Sequence, residues 1–256
     1  MKYTVITGAS SGIGYETAKA FAAQGKNLIL TARREEKLKE LTSSIHEIDS
    51  SLDVQLRIAD LSDNSEVYKL YDSLKEFDIE TWINNAGFGN FDAVSDQELP
   101  KIEKMLRLNN EALTILSSLY ARDYQDKEGT QLINVSSGGG YTIVADAVTY
   151  CATKFFVSSF TEGLAQELEA KGAQLKAKVL APAATETEFA KQAIDVEEFN
   201  YNESVPQFHT AKEMAGFMID LYNSDKVVGI VDGNTYEFFL RDPIYPFVSK
   251  SSTSNS

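Results

Sequence analysis

Thr7-Gly8-Ala9-Ser10-Ser11-Gly12-Ile13-Gly14 is the stretch on which the reading of this chain turns. It follows a short apolar run, Tyr3 to Thr7, and leads into a helical pattern, Ile13 to Ala23. A strand, a glycine-rich turn and a helix in that order suit a phosphate: the glycines allow a tight reversal and close backbone approach. The first helical turn then offers unpaired N–H groups and the positive end of a dipole. Gly8, Ser10, Ser11, Gly12, Ile13 and Gly14 are therefore candidate cofactor-binding residues. A glycine turn with no ligand reads the same in isolation, so the weight rests on what surrounds it.

Further apolar, β-branched runs follow at Asn27 to Thr31, Val54 to Ala59, Thr81 to Asn84, Gln131 to Ser136, Lys176 to Leu180 and Val227 to Val231. Between them, apolar residues at three- and four-residue spacing predict helices over Glu35 to Glu47, Asn64 to Glu76, Leu99 to Tyr124, Ala147 to Ala170 and Ala211 to Tyr222. In the helix from Ala147, Phe156, Phe160, Leu164 and Leu168 form one i, i+4 row expected to face the core. Strands apolar on both faces and alternating with helices predict an α/β, Rossmann-like, doubly wound domain of about seven parallel strands with helices on both faces. No linker divides residues 1–248, so one domain is expected, followed by a polar tail at 249–256. Residues 183–210 make a connection too long and too aromatic for a solvated linker, which predicts a lid over an apolar ligand. Asp232-Gly233-Asn234 predicts a turn into a terminal hairpin over Thr235 to Leu240.

Composition narrows the function. The 24 Lys and Arg against 38 Asp and Glu leave a formal charge of −14, which disfavours nucleic acid and anionic membranes as partners and requires any anionic cofactor to be held by local groups. One cysteine, Cys151, and two histidines, His46 and His209, leave no set for a metal site, and Cys151 reads as a packed residue. No apolar run is long enough to span a bilayer and the amino terminus does not read as a signal peptide, so a cytoplasmic location is expected.

Three further segments carry chemistry. Tyr150-Cys151-Ala152-Thr153-Lys154 puts a phenol and an ammonium four residues apart, hence on one helix face. Moving a phenol from a pKa of about 10 to about 7 takes roughly 4 kcal/mol, the size of the interaction with a cation about 4 Å away at an effective dielectric near 20. Lys154 is thus expected to tune Tyr150 for acid/base work. Ser137, thirteen residues before Tyr150, ends the fifth strand, and Asn109 interrupts an amphipathic helix where it lowers helix propensity.

The glycine spacing, with its leading Thr7, resembles the short-chain dehydrogenase/reductase family. So do Asp60-Leu61, Asn84-Asn85-Ala86-Gly87, Asn109, Ser137, Tyr150, Lys154 and Thr187, in order along about three quarters of the chain. The resemblance implies Asn109, Ser137, Tyr150 and Lys154 as catalytic residues, with Asn109 holding a water that relays the proton. It also implies Asp60, Leu61, Asn85, Ala86, Gly87, Tyr150, Lys154 and Thr187 at the cofactor. Ala32, rather than a carboxylate, stands where an NAD-selecting acid is expected, and Arg33 and Arg34 follow, so the cofactor is read as NADP(H), with Arg33 the main partner of its 2′-phosphate. The implied activity is hydride transfer between the nicotinamide and a carbonyl or alcohol carbon of a small substrate, in a homodimer or homotetramer. Phe88, Phe91, Tyr141 and the aromatic lid suggest that the substrate is apolar. The alternative is a non-catalytic NADP-binding sensor or regulatory protein. The chain departs from the family pattern after Pro182, where Ala183 replaces a glycine and would resist a positive φ. Glu186 and Glu188 also bring negative charge toward a phosphate-bearing cofactor.

Overall fold

The structure is a computed structural model that describes residues 1–248; the tail expected at 249–256 lies outside the described residues. Its centre is an eight-stranded sheet in the order β3-β2-β1-β4-β5-β6-β9-β10. The strands are β1 (Lys2–Thr7), β2 (Asn27–Ala32), β3 (Val54–Ile58), β4 (Asp78–Asn84), β5 (Gln131–Val135), β6 (Lys176–Ala181), β9 (Val228–Val231) and β10 (Phe238–Arg241). Seven of them run parallel, as the sequence predicts, and β10 pairs antiparallel with β9 through the turn at Asp232, whose carboxylate accepts from Asn234 N and Thr235 N.

Alternation along each strand builds the two faces. Ile6, Leu28, Leu30, Ile83, Ile133 and Leu180 pack with α1 (Gly12–Ala22), α2 (Glu35–Ile48) and α9 (Ala211–Asn223). Their neighbours Val5, Ile29, Trp82 and Leu132 face α3 (Asn64–Asp72), α5 (Leu113–Tyr124) and α6 (Val148–Ala170). Each such fully buried aliphatic side chain contributes about 1.5–3 kcal/mol. No helix among the described residues is long and apolar enough to cross a membrane.

Two helices differ from their sequence patterns. The single helix expected from Leu99 to Tyr124 is α4 (Leu99–Leu106), a π-helical turn (Arg107–Ala112) and α5. On α6 the predicted apolar row is buried only toward its carboxyl end: Phe156 is 42% exposed and stacks on Phe160, while Leu168 is buried. The inward face carries Tyr150, Lys154, Ser158, Thr161 and Glu162 among its buried residues, so that face serves the end of β5 with polar groups.

After β6 the chain makes the long excursion expected of residues 183–210. A two-residue strand β7 (Thr185–Glu186) pairs in parallel with β8 (His209–Thr210) and closes its base. Short helices α7 (Phe189–Ala193) and α8 (Tyr201–Ser204) lie between them. Thr210 and Glu213 then form a reciprocal capping box that starts α9. The strain anticipated at Ala183 does not arise: among the described residues only Asp146, Asp195 and Tyr236 carry a positive φ without being glycine.

Candidate active site

The chain runs β1, β2, β3 toward one edge and then crosses back to place β4 beside β1. A crevice therefore opens at the carboxyl ends of β1 and β4, where open α/β sheets bind ligands. Both walls come from the motifs singled out above. Gly8 has φ +67°, and a Cβ there would sit 2.8 Å from Ala86 Cα; a Cβ on Gly14 would sit 2.4 Å from the Gly8 carbonyl oxygen. These contacts need glycine. Thr7 Oγ1 accepts from the amides of Asn85 (3.0 Å) and Ala86 (3.1 Å), and Asn85 Nδ2 donates to the carbonyls of Thr7 (3.0 Å) and Gly8 (3.2 Å). The asparagine motif thus stitches β4 to the glycine turn. Ser11 precedes α1 in extended conformation and its side chain forms no cap, so it does not compete for the first amides of that helix. A cradle with no room for a Cβ, uncapped amides and nearby guanidinium groups fits a dinucleotide phosphate.

The two arginines after β2 divide. Arg34 reaches back to the turn, donating from Nε (3.3 Å) and Nη2 (3.2 Å) to Ser10 Oγ, and its Nη1 lies 2.9 Å from Glu188 Oε2. Arg33 lies toward Asp60, whose carboxyl is lowered despite partial burial, because Ser62 donates to it from N and Oγ and Lys104 and Arg33 stand near. The Leu61 side chain is a core residue among Ala59, Val67 and Leu70. Thr187 sets its methyl against Gly12, where a Cβ would meet it at 2.9 Å, and its hydroxyl accepts from Phe189 N.

The catalytic candidates gather one strand further along, on a buried polar frame. Asn84 accepts from Trp82 Nε1 and donates to Ser117 and Asn134; Asn134 donates to Thr161 on α6. Asn109 sits in the π-helical turn, where the extra residue per turn re-aims a side chain. It holds the Phe88 peptide from both sides, donating to its carbonyl (2.9 Å) and accepting from its N–H (3.2 Å), and it also donates to Thr153 Oγ1 (3.1 Å). Its Oδ1 and Lys154 Nζ both border Gly87. Ser137 Oγ, which accepts from Gly139 N, and the Tyr150 ring both border Gly139. The neighbouring Ser136 is turned away, donating to the Lys154 carbonyl and meeting Ser158, so it has no access to Tyr150 chemistry.

The expected tuning of Tyr150 by Lys154 is not present in this geometry. Lys154 Nζ donates to the Val135 carbonyl at 3.0 Å and stands 5.9 Å from the centre of the Tyr150 ring. Burial dominates both groups: it pushes Tyr150 well above the ordinary phenol range, only partly countered by Ser137, and pulls Lys154 down to about 8. Lowering the phenol thus requires positive charge brought into the crevice beyond what this arrangement supplies.

The aromatic residues also sort themselves. Phe91 and Phe189 meet Tyr150 with ring centres at 5.9 and 5.4 Å, and Phe88 packs in the same cluster. Tyr141, expected at the substrate, points elsewhere: it donates to Glu162 Oε1 (2.6 Å) and stacks on Tyr245, because α6 turns its buried carboxylate to that side. The remaining aromatics of the 183–210 excursion, Phe199, Tyr201 and Phe208, pack on one another. Cys151 is buried and its Sγ accepts from Val144 N, a packing role as expected. The sequence reading missed Asn90. It is fully buried in the loop between Gly87 and Phe91, with neither carboxamide atom partnered by the described residues. The only signal was an asparagine repeated shortly after Asn84-Asn85.

Residues 2–198 match the family model for short chain dehydrogenase. The chain belongs to the short-chain dehydrogenase family. As a short-chain dehydrogenase it is an oxidoreductase of the type that acts on CH–OH or C=O groups with a nicotinamide cofactor. Over 196 residues it is 30% identical to an uncharacterized oxidoreductase of Staphylococcus saprophyticus, covering 76% of this chain and 78% of that protein. It is 27% identical over 195 residues to human dehydrogenase/reductase SDR family member 11, covering 74% and 75% of the two chains. Among solved structures it superposes on a short-chain dehydrogenase from Sphingobium yanoikuyae in complex with NADPH (TM-score 0.82, 29% identity, 90% of this chain and 87% of that one). It also resembles a bulky-bulky ketone specific alcohol dehydrogenase from Comamonas testosteroni (TM-score 0.78, 27% identity, 90% and 86%).

Proposed function

We propose that this short-chain dehydrogenase interconverts a carbonyl and an alcohol on a small apolar substrate with NADP(H), using Asn109, Ser137, Tyr150 and Lys154. The observation that carries the reading is the convergence of Ser137 and Tyr150 at Gly139, with Lys154 and Asn109 bordering Gly87 behind them. Bound in the crevice, the cofactor supplies or accepts a hydride at the substrate carbon. Ser137 donates a hydrogen bond to the substrate oxygen and fixes its position. Tyr150 gives its proton to that oxygen in reduction and takes it back in oxidation. Lys154, drawn down to about 8 by burial, replenishes the proton, and Asn109, which borders Gly87 beside it, holds the Phe88 peptide in place.

NADP(H) is favoured by Arg33 and Arg34 after β2, by the lack of a carboxylate at Ala32, and by the NADPH complex of the Sphingobium relative. An apolar substrate is favoured by Phe91 and Phe189 over Tyr150, with residues 183–210 acting as a lid. A homodimer or homotetramer belongs to the same reading, since Val148, Phe156 and Phe160 leave an apolar face on α6. The test is NADPH oxidation over a panel of apolar ketones, with Tyr150→Phe lowering turnover about 10³-fold while NADPH still binds. If the wild type binds NADPH and turns over none of the panel, a non-catalytic sensor replaces this reading.

A further inference from the structure

Glu188 has a position that the family reading leaves unused. It follows Thr187, whose methyl is seated on Gly12, and precedes Phe189, whose ring lies over Tyr150. Its Oε2 is shut away from solvent and lies 2.9 Å from Arg34 Nη1, yet makes no aligned hydrogen bond there, so the contact is an ion pair with unused acceptor capacity. The other edge of the same guanidinium is held by Ser10 on the glycine turn. Arg34, against partial burial and with a smaller contribution from Ser11, holds the Glu188 carboxyl below the usual range.

Glu188 also lines an adjoining hollow of about 830 Å³, together with Ser10, Ser11, Gly12, Lys37 and Lys191. Lys37 is already paired with Glu40 at 2.7 Å, and Glu16, Glu186, Glu197 and Glu198 add negative charge to the rim. Beside so acidic a rim, the Arg34 guanidinium is a cation that hydrogen-bonds the glycine turn, and Glu188 occupies it. An anion arriving there must displace or neutralise that carboxylate.

We propose that Glu188 is a specificity-determining residue for the cofactor: its carboxylate stands in the anion site that Arg34 offers to a ribose 2′-phosphate, so 2′-phosphorylated nucleotides bind only by displacing it from Arg34. The proposal rests on the NADP(H) reading above. It also makes Arg34, rather than Arg33, the guanidinium in competition. Because Glu188 adjoins Phe189, the exchange of partners at Arg34 loosens the amino-terminal end of α7, the element that covers Tyr150.

The experiment is equilibrium binding of NADPH, NADH, adenosine 2′,5′-bisphosphate and adenosine 5′-phosphate to the full chain, by fluorescence or calorimetry, for wild type, Glu188→Gln, Arg34→Ala and the double variant. Glu188→Gln is expected to tighten adenosine 2′,5′-bisphosphate and NADPH about two- to fivefold, the scale of the partly exposed Arg34–Glu188 pair that no longer has to be broken, and to change adenosine 5′-phosphate less than about 1.5-fold. In the Arg34→Ala background the same substitution is expected to have no effect. Hydrogen exchange should show the amides of Phe189–Ala193 less protected in wild type with adenosine 2′,5′-bisphosphate than without it. Equal tightening of both adenosine phosphates, no tightening at all, or an effect that survives Arg34→Ala overturns the proposal and leaves the NADP(H) reading standing. A Glu188→Gln variant that binds NADPH no better than NADH overturns both.

Discussion

Replacing Glu162 by alanine tests whether one buried carboxylate fastens the carboxyl-terminal segment to the loop that follows Ser137. Glu162 is fully buried on α6 and accepts from three donors: the Tyr141 hydroxyl at 2.6 Å and the amides of Ile244 and Tyr245. Tyr245 in turn stacks on Tyr141 and donates to the Gly140 carbonyl, three residues from Ser137. Hydrogen bonds to a charged group contribute about 1.5–3 kcal/mol each, but the two amides belong to a segment that can reach water once released, Ile244 being 45% exposed. The Tyr141 phenol, largely enclosed, is the donor left unsatisfied, so Glu162→Ala should cost about 3 kcal/mol in all. For a chain of this size that is a fall in Tm of about 6 °C or more. Glu162→Gln, which keeps an acceptor and the shape but loses the charge, should cost about half as much. Thermal and urea unfolding measure the stability, and limited proteolysis after Arg241 reports release of the segment. A loss below about 1 kcal/mol for Glu162→Ala, or a segment no more sensitive to protease, would refute the clamp.

Two other buried charges lead to further expectations. Lys154, with a pKa near 8 against the usual 10.5, binds fewer protons folded than unfolded between those values, so its burial costs about 3 kcal/mol below pH 8 and that cost is relieved as pH rises toward 10.5. Wild-type stability should therefore rise over this window more steeply than that of Lys154→Met; equal slopes would mean that Lys154 is not desolvated as described. Lys178 on β6 is 3% exposed and donates to the carbonyls of Leu221 (2.9 Å), Tyr222 (3.0 Å) and Ser224 (2.7 Å), closing the end of α9. Lys178→Met should cost about 2–3 kcal/mol in urea unfolding and speed amide exchange in the last turn of α9, whereas an unchanged midpoint would deny the cap a role.

The sequence by itself determined the strand, glycine turn and helix at Thr7 to Gly14, the number of parallel strands, and the order of Asn85, Asn109, Ser137, Tyr150 and Lys154 along the sheet. Each is a local feature: alternation sets which strand residues face helices, a glycine motif needs only its own backbone, and Tyr150 and Lys154 share a face because they are one helical turn apart. Tertiary structure alone decided how those residues meet. It turned Tyr141 onto Glu162 rather than toward the substrate, because the buried side of α6 is polar there. It put Asn109 in a π-helical turn and aimed Lys154 at Val135, contacts set by elements far apart in the chain. And at the glycine turn it gave Arg34, not Arg33, the reach to Ser10, and laid Glu188 from more than 150 residues downstream against it. Sequence spacing carries no information on such a pairing, since two charges on separate loops become neighbours only when β1, β2 and the excursion after β6 come together at the same edge of the sheet.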